Sequence, residues 1–293
     1  MSKPVWQSPS DNDFESDQPR LSPAVSLRPR SGAALSRQRV QSAMLKVPEI
    51  TAFFWIIKLL TTAMGESTSD YLVFQINPYV AVALGCLGLV VALILQLWVR
   101  RYIPWVYWLA IVMVAIFGTM AADVAHVVLG IPYAVSAACF ASALALIFVI
   151  WYLSEKTLSI HTITRGRREL FYWATVMATF ALGTAAGDMT ASTLNLGYST
   201  SIFLFAGLFA LPGVGLWLFG LNEIAAFWWA YVVTRPLGAS VADWLGKPYL
   251  DGLGLGDDKV SIVLTLLIVV FAGYVTITRK DMKGEQRQLH QDV

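Results

Sequence analysis

Four times along the chain, an aromatic residue and a tryptophan are followed ten residues later by glycine and five residues after that by aspartate. The tryptophans are Trp55, Trp108, Trp173 and Trp228, preceded by Phe54, Tyr107, Tyr172 and Phe227. The glycines are Gly65, Gly118, Gly183 and Gly238, and the aspartates are Asp70, Asp123, Asp188 and Asp243. The copies stand 53, 65 and 55 residues apart. Recurrence of one frame at near-constant spacing marks an internal repeat, a unit that buries its apolar surface only against its neighbours. Any fold for this chain must therefore use one small unit four times.

The sequence around the frame says where that unit sits. Hydrophobic residues make up 57% of the chain and charged ones 14%, against about 25% charged in a soluble domain. That balance belongs to an integral membrane protein. Eight apolar stretches approach the roughly 20 residues that a spanning helix needs: residues 48–70, 78–99, 104–129, 132–153, 169–195, 199–219, 222–245 and 259–277. Their long continuous apolar runs predict helices; a transmembrane barrel alternates in segments of about ten residues. The expected fold is all-α, with eight transmembrane helices forming four two-helix repeats (about 47–100, 101–154, 167–220 and 221–278). Cys86 and Cys139 both fall inside spans and read as small buried packing residues. Residues 1–46, rich in Ser, Pro, Arg and Asp, are too polar to offset their ordering entropy and read as a disordered tail. Residues 279–293 form a second tail.

Charge in the loops sets the expected orientation. Basic residues gather in the N-terminal tail, at Arg100 and Arg101, at Lys156, Arg165, Arg167 and Arg168, and in the C-terminal tail. The loops between those positions are poor in Lys and Arg, apart from the seventh, where Lys247 and Lys259 stand with Asp251, Asp257 and Asp258. By the positive-inside rule both termini are cytoplasmic and the number of spans is even. All four repeats then share one orientation, and their symmetry axis runs along the membrane normal.

At 100° per residue, the tryptophan and the residue after the glycine return to nearly the same helix face. That residue and the aspartate are neighbours four apart. The resulting pairs are Glu66/Asp70, Thr119/Asp123, Thr184/Asp188 and Ala239/Asp243, with His126 three residues beyond Asp123. Ionisable residues in a span face the bundle interior, a partner or a water-filled cavity. Four of them in one frame on four parallel units are expected to converge into a ring of carboxylates and hydroxyls near the outer half of the membrane. Such oxygen ligands suit a hard or borderline divalent cation, and clustered carboxylates also take up protons. The alternative is that each Asp caps its helix in the headgroup region. Lys58 and Arg235, the other embedded charges, read either as internal cations neutralising the ring or as salt-bridged or snorkelling side chains. The four tryptophans serve either as helix packing and interfacial anchors or as the lining of a solute path.

The tandem two-helix units with their tryptophans at 55, 108, 173 and 228 resemble a family of bacterial inner-membrane proteins, described as membrane-anchored, that carry a repeat of unknown function. The resemblance covers about residues 48–277. It implies a bacterial source, the cytoplasmic membrane and eight spans, and carries no site with it. The expected activity is transport of a small cation, a divalent metal with proton coupling in view, through the aspartate ring. The alternatives are a membrane scaffold or sensor, and a carrier for an organic solute lined by tryptophan. No phosphate loop, nucleophile arrangement or zinc motif is present in the sequence, so neither enzyme activity nor a cofactor is expected, and no nucleic acid. The lipid bilayer is the expected partner; the oligomeric state is left open.

Overall fold

The structure, a computed structural model, describes residues 45–281. The disorder expected of the N-terminal tail falls on residues 1–44, outside the described residues, as do residues 282–293 of the C-terminal tail. Among the described residues there are eight long helices and no strand. They are α1 (Ala52–Gln75), α2 (Pro78–Trp98), α3 (Pro104–Asp123), α4 (Tyr133–Glu155), α5 (Arg167–Asp188), α6 (Gly197–Phe219), α7 (Glu223–Gly246) and α8 (Asp257–Thr278). Local chemistry starts several of them. Thr51 accepts the N–H of Phe54, Asn77 that of Tyr79, and Asn222 those of Ile224 and Ala225, each satisfying an orphan donor of a first turn. Pro78 and Pro104 stand in first turns, where a missing N–H costs nothing.

The odd-numbered helices form a closed inner ring: α1 packs on α3, α3 on α5, α5 on α7, and α7 back on α1. Each even-numbered helix lies outside, and here the structure departs from a set of self-contained hairpins. Helix α2 packs chiefly on α3 rather than on α1, α4 on α5, α6 on α7, and α8 on α1. Every repeat thus lends its outer helix to the next, and α8 closes the circle. This is how a two-helix unit without a core of its own acquires one.

The outer helices turn large apolar side chains outward, among them Phe203, Trp217 and Ile277, as contact with lipid requires. Cys86 and Cys139 are exposed on α2 and α4, so the expectation of buried cysteines fails: the packed face of each outer helix is narrow, and both cysteines lie off it. Six helices (α2 to α6 and α8, with α3 and α5 counted through their terminal turns) are long and apolar enough to cross a membrane. Helices α1 and α7, each 24 residues long, are too polar by composition, because they carry Lys58, Glu66, Asp70, Arg235 and Asp243. Those five side chains are buried between helices.

Both tails are shorter than the sequence implied. Lys46 is fully buried, donates to the Gln96 carbonyl at 2.8 Å and pairs with Glu169. At the other end Asp281 is buried and accepts from the Tyr102 hydroxyl at 2.5 Å. The residues next to α1 and α8 are therefore part of the folded domain.

Candidate functional site

Three contacts, at three heights along the inner ring, use the repeated frame. At the amino end of the inner helices, the aromatic residue of each copy packs on the tryptophan of the next. Phe54 meets Trp108 at 5.9 Å, Tyr107 meets Trp173 at 5.8 Å, Tyr172 meets Trp228 at 6.2 Å and Phe227 meets Trp55 at 5.9 Å. Within each copy the two rings touch edge-on at 5.1–5.3 Å, the favoured geometry for ring quadrupoles. Eight rings make one closed girdle, with Tyr107 and Tyr172 joined hydroxyl to hydroxyl at 2.5 Å. All are buried except Trp55, which is half-buried against Phe209. The four tryptophans thus pack between helices.

One level on, the glycines set the helix spacing. A Cβ on Gly65 would lie 2.4 Å from Ala115, on Gly118 2.7 Å from Phe180, on Gly183 2.3 Å from Arg235, and on Gly238 2.0 Å from the Thr62 hydroxyl. In every case the obstacle stands three residues before the glycine of the next repeat. Only hydrogen in place of a side chain permits this approach.

That approach brings the residues after the glycines onto Arg235. Its guanidinium is fully buried and donates to Glu66 at 2.5 Å, to the Thr184 hydroxyl at 2.7 Å, to the Thr119 hydroxyl, and to the Thr62 carbonyl at 3.4 Å. One side chain from α7 thereby ties α1, α3 and α5. Repeats one and four stand side by side in the ring, as do repeats two and three. The knot is consequently polarised, with charges on the α1–α7 side and hydroxyls on the α3–α5 side. Ala239, in the fourth copy, makes room for Arg235 one turn earlier. Lys58 takes no part in the knot. Its ammonium has no hydrogen-bond partner and lies 4.1 Å from the ring centres of both Phe180 and Tyr231. It is neither salt-bridged nor snorkelling: Glu66 lies eight residues on, about 12 Å along the helix, beyond the reach of a lysine.

At the carboxyl end lie the aspartates. Carboxylate oxygens of Glu66, Asp70 and Asp243 come within 4.8 Å of one another, and all three residues are buried. Asp123 lies within electrostatic reach of Asp70, Glu66 and Asp188, and Asp188 within reach of Glu66 and Asp70. Both are half-buried, each at the point where its helix widens into a π turn, Val124–Val128 after α3 and Met189–Thr193 after α5. Such turns interrupt the regular ladder and recur at functional sites. His126 is turned to other work. Its Nδ1 bonds the Ile131 carbonyl at 2.8 Å and its ring stacks on Tyr133 at 3.6 Å.

A residue that the sequence reading passed over stands among these acids. Lys247, just past the end of α7, places its ammonium 2.9 Å from Asp70 and 2.8 Å from Asp243. Burial alone would favour the neutral amine, but the charges of Asp243, Asp70, Glu66 and Asp188 hold it well above the ordinary lysine range. The signal was in the loop charges: Lys247 belongs to the seventh loop, the single exception to the alternation.

The chain matches the family described as Repeat of Unknown Function (DUF347) at residues 53–102, 106–157, 171–220 and 226–281. The chain belongs to that family. No curated protein and no solved structure matches it. The four matched stretches coincide with the four copies of the frame, and the protein is a helical membrane protein built of these repeats.

Proposed function

We propose that this protein is a carrier for a small divalent cation in the bacterial cytoplasmic membrane, with all eight helices spanning and both termini cytoplasmic. The reading is carried by the meeting of Glu66, Asp70 and Asp243, all buried, within 4.8 Å at the carboxyl end of the inner helices. Carboxylate oxygens at that spacing are ligands for a hard cation. Charge balance supports it. The carboxylates Glu66, Asp70, Asp123, Asp188 and Asp243, with Asp257 in electrostatic reach, outnumber the cations among them, Arg235 and Lys247. A divalent cation or protons would offset that excess, and a membrane interior makes an uncompensated charge expensive. The aromatic girdle packs the amino end, so ions enter from the aspartate end, the outer end in the orientation that the loop charges favour. Release to the other side requires the Arg235 knot to open. Pro236, inside α7 beside Arg235, removes one ladder hydrogen bond there.

Purified protein in liposomes, loaded with a metal-sensitive dye and a pH dye, tests this. Wild type is expected to pass Mn²⁺ or Mg²⁺ with a countermoving proton signal, and Asp243→Asn, Asp70→Asn and Asp123→Asn to lose at least about tenfold in rate. Equal flux in wild type and all three variants sinks the carrier. A scaffold without transport is the second reading, favoured by the degree to which Arg235 already satisfies Glu66 and both threonines.

A further inference from the structure

The geometry points to Lys247 as a tethered surrogate cation, seated in the carrier's own cation site and surrendering it to divalent but not to monovalent ions. This rests on the reading of the aspartate end as a cation site.

Three observations carry it. First, the ammonium lies at hydrogen-bond distance from carboxylates of two adjacent inner helices, Asp70 on α1 and Asp243 on α7, which are two of the three residues whose oxygens converge. A group occupying that position does what a bound cation would do: it neutralises both acids and ties the helices together. Second, Lys247 stands at the margin of the helical framework, its N–H closing the last turn of α7 on the Asp243 carbonyl at 2.9 Å. It is the C-cap of α7 and opens the connection to α8, where Gly254 returns an N–H to its carbonyl at 3.1 Å. Leu250, Asp251, Gly254 and Gly256 in that connection all take positive φ. Its side chain is 15% exposed, close to the 12% of Asp70 and above the 4% of Asp243, so the lysine lies at the edge of the acid cluster rather than beneath it. Third, the layer keeps an unused ligand. The hydroxyl of Ser240, one turn before Asp243 on the same side of α7, is buried and has no hydrogen-bond partner.

The consequence is selectivity. A tethered group competes at an effective concentration of millimolar or above, without any cost in translational entropy. A monovalent ion offers the two carboxylates no more charge than the ammonium it must evict, and at ordinary concentrations it loses. A divalent ion gains twice the Coulomb energy from the same oxygens, and draws on Glu66 and Asp123 as well. The site thus rejects Na⁺ and K⁺ by keeping a monovalent cation of its own in place.

The test reads Lys247 itself in the full chain in liposomes. A membrane-impermeant amine-acylating reagent is applied from the aspartate side, and labelling of Lys247 is quantified by peptide mass spectrometry, with Lys259 as the internal reference. Mn²⁺ is expected to raise Lys247 labelling at least about fivefold, and Na⁺ at a hundredfold higher concentration to leave it unchanged. Labelling that ignores Mn²⁺, or responds equally to Na⁺, overturns the proposal. In parallel, Lys247→Met is expected to tighten the apparent Mn²⁺ affinity about tenfold and to let Na⁺ inhibit, while Lys247→Arg keeps Na⁺ excluded. If Mn²⁺ exposes Lys247 but no ion crosses, the carrier reading fails and the surrogate stands. If Mn²⁺ crosses while Lys247 labelling stays fixed, the surrogate fails and the carrier stands.

Discussion

The Arg235 knot makes the strongest energetic prediction, because both charges of its ion pair are buried. Arg235 is 0% exposed and Glu66 2%. Replacing Arg235 with Met leaves the Glu66 carboxylate without its partner, and removing one member of a buried pair costs about 3–5 kcal/mol. Glu66→Met strands the guanidinium at a similar cost. If the two effects were independent, the double variant would lose about 6–10 kcal/mol. It removes both charges together, however, and an apolar replacement of a buried pair is close to neutral. What remains is the loss of a donor to Thr119 and Thr184, at about 1 kcal/mol each. Both hydroxyls also face a carbonyl of their own helix, Ala115 at 3.0 Å and Phe180 at 3.3 Å, which keeps that loss at the low end. The double variant is therefore expected at about 1–3 kcal/mol, and the coupling energy at about 3 kcal/mol or more. Reversible unfolding in mixed micelles, titrated with a denaturing detergent, measures all four corners of the cycle. A coupling below about 1 kcal/mol would refute the knot as the energetic centre of the ring.

One further prediction rests on close packing and one on a second buried ion pair. Gly238→Ala places a methyl 2.0 Å from the Thr62 hydroxyl and 3.0 Å from the Ala63 backbone nitrogen, and overpacking of this kind costs about 1–3 kcal/mol. Gly207→Ala, on the outer helix α6 with nothing within 4 Å, is expected to be neutral or to stabilise by up to about 1 kcal/mol, so equal thermal shifts in the two would count against the glycine contacts. Lys46→Met strands Glu169, which is 1% exposed, at about 3–5 kcal/mol. The double change Lys46→Met with Glu169→Met should recover most of that in the same unfolding assay, and failure to recover would mean that the segment before α1 is not anchored through this pair.

The frame made the helical repeat and its apolar setting legible, because spacing and hydropathy are local properties. The helix starts were legible for the same reason, as with Asn77-Pro78. Three things were not. That α2 packs on α3 rather than α1 is set by how neighbouring copies meet, and no spacing within one copy records it. Arg235 was read as an internal cation or a salt-bridged side chain, but its partners were not legible, because the three side chains it holds lie 51, 116 and 169 residues away. Lys247 looked like a loop residue that spoiled a charge rule, since chain position alone cannot show a side chain folding back onto α1. His126 was placed on the aspartate face by the 100° period; it lies within the π turn after Asp123, which breaks that period, and its ring meets the Ile131 carbonyl and Tyr133.

These contacts also explain which positions of the repeat vary. The aromatic pair and the glycine each touch the following copy, so a change in any copy would open a seam in a closed ring, and all four copies keep them. The residue after the glycine faces the axis, where four side chains share a single space. Four glutamates there would repel one another, and four threonines would leave the axis without a cation to organise it. Glu66, Thr119, Thr184 and Ala239 divide the work: one acid, two hydroxyls and one gap, the gap being what lets Arg235 reach across. The position three before the glycine diverges in the same way, as Thr62, Ala115, Phe180 and Arg235, because it supplies both the surface each glycine packs on and the one guanidinium. Fourfold packing thus holds a centre that is not fourfold. The aspartates are kept in every copy too, and at their level the tie between repeats is the Lys247 bridge from Asp70 to Asp243. Asp123 and Asp188 lie outside that bridge, so a carboxylate retained four times where one pair is bridged is what the proposed cation site requires.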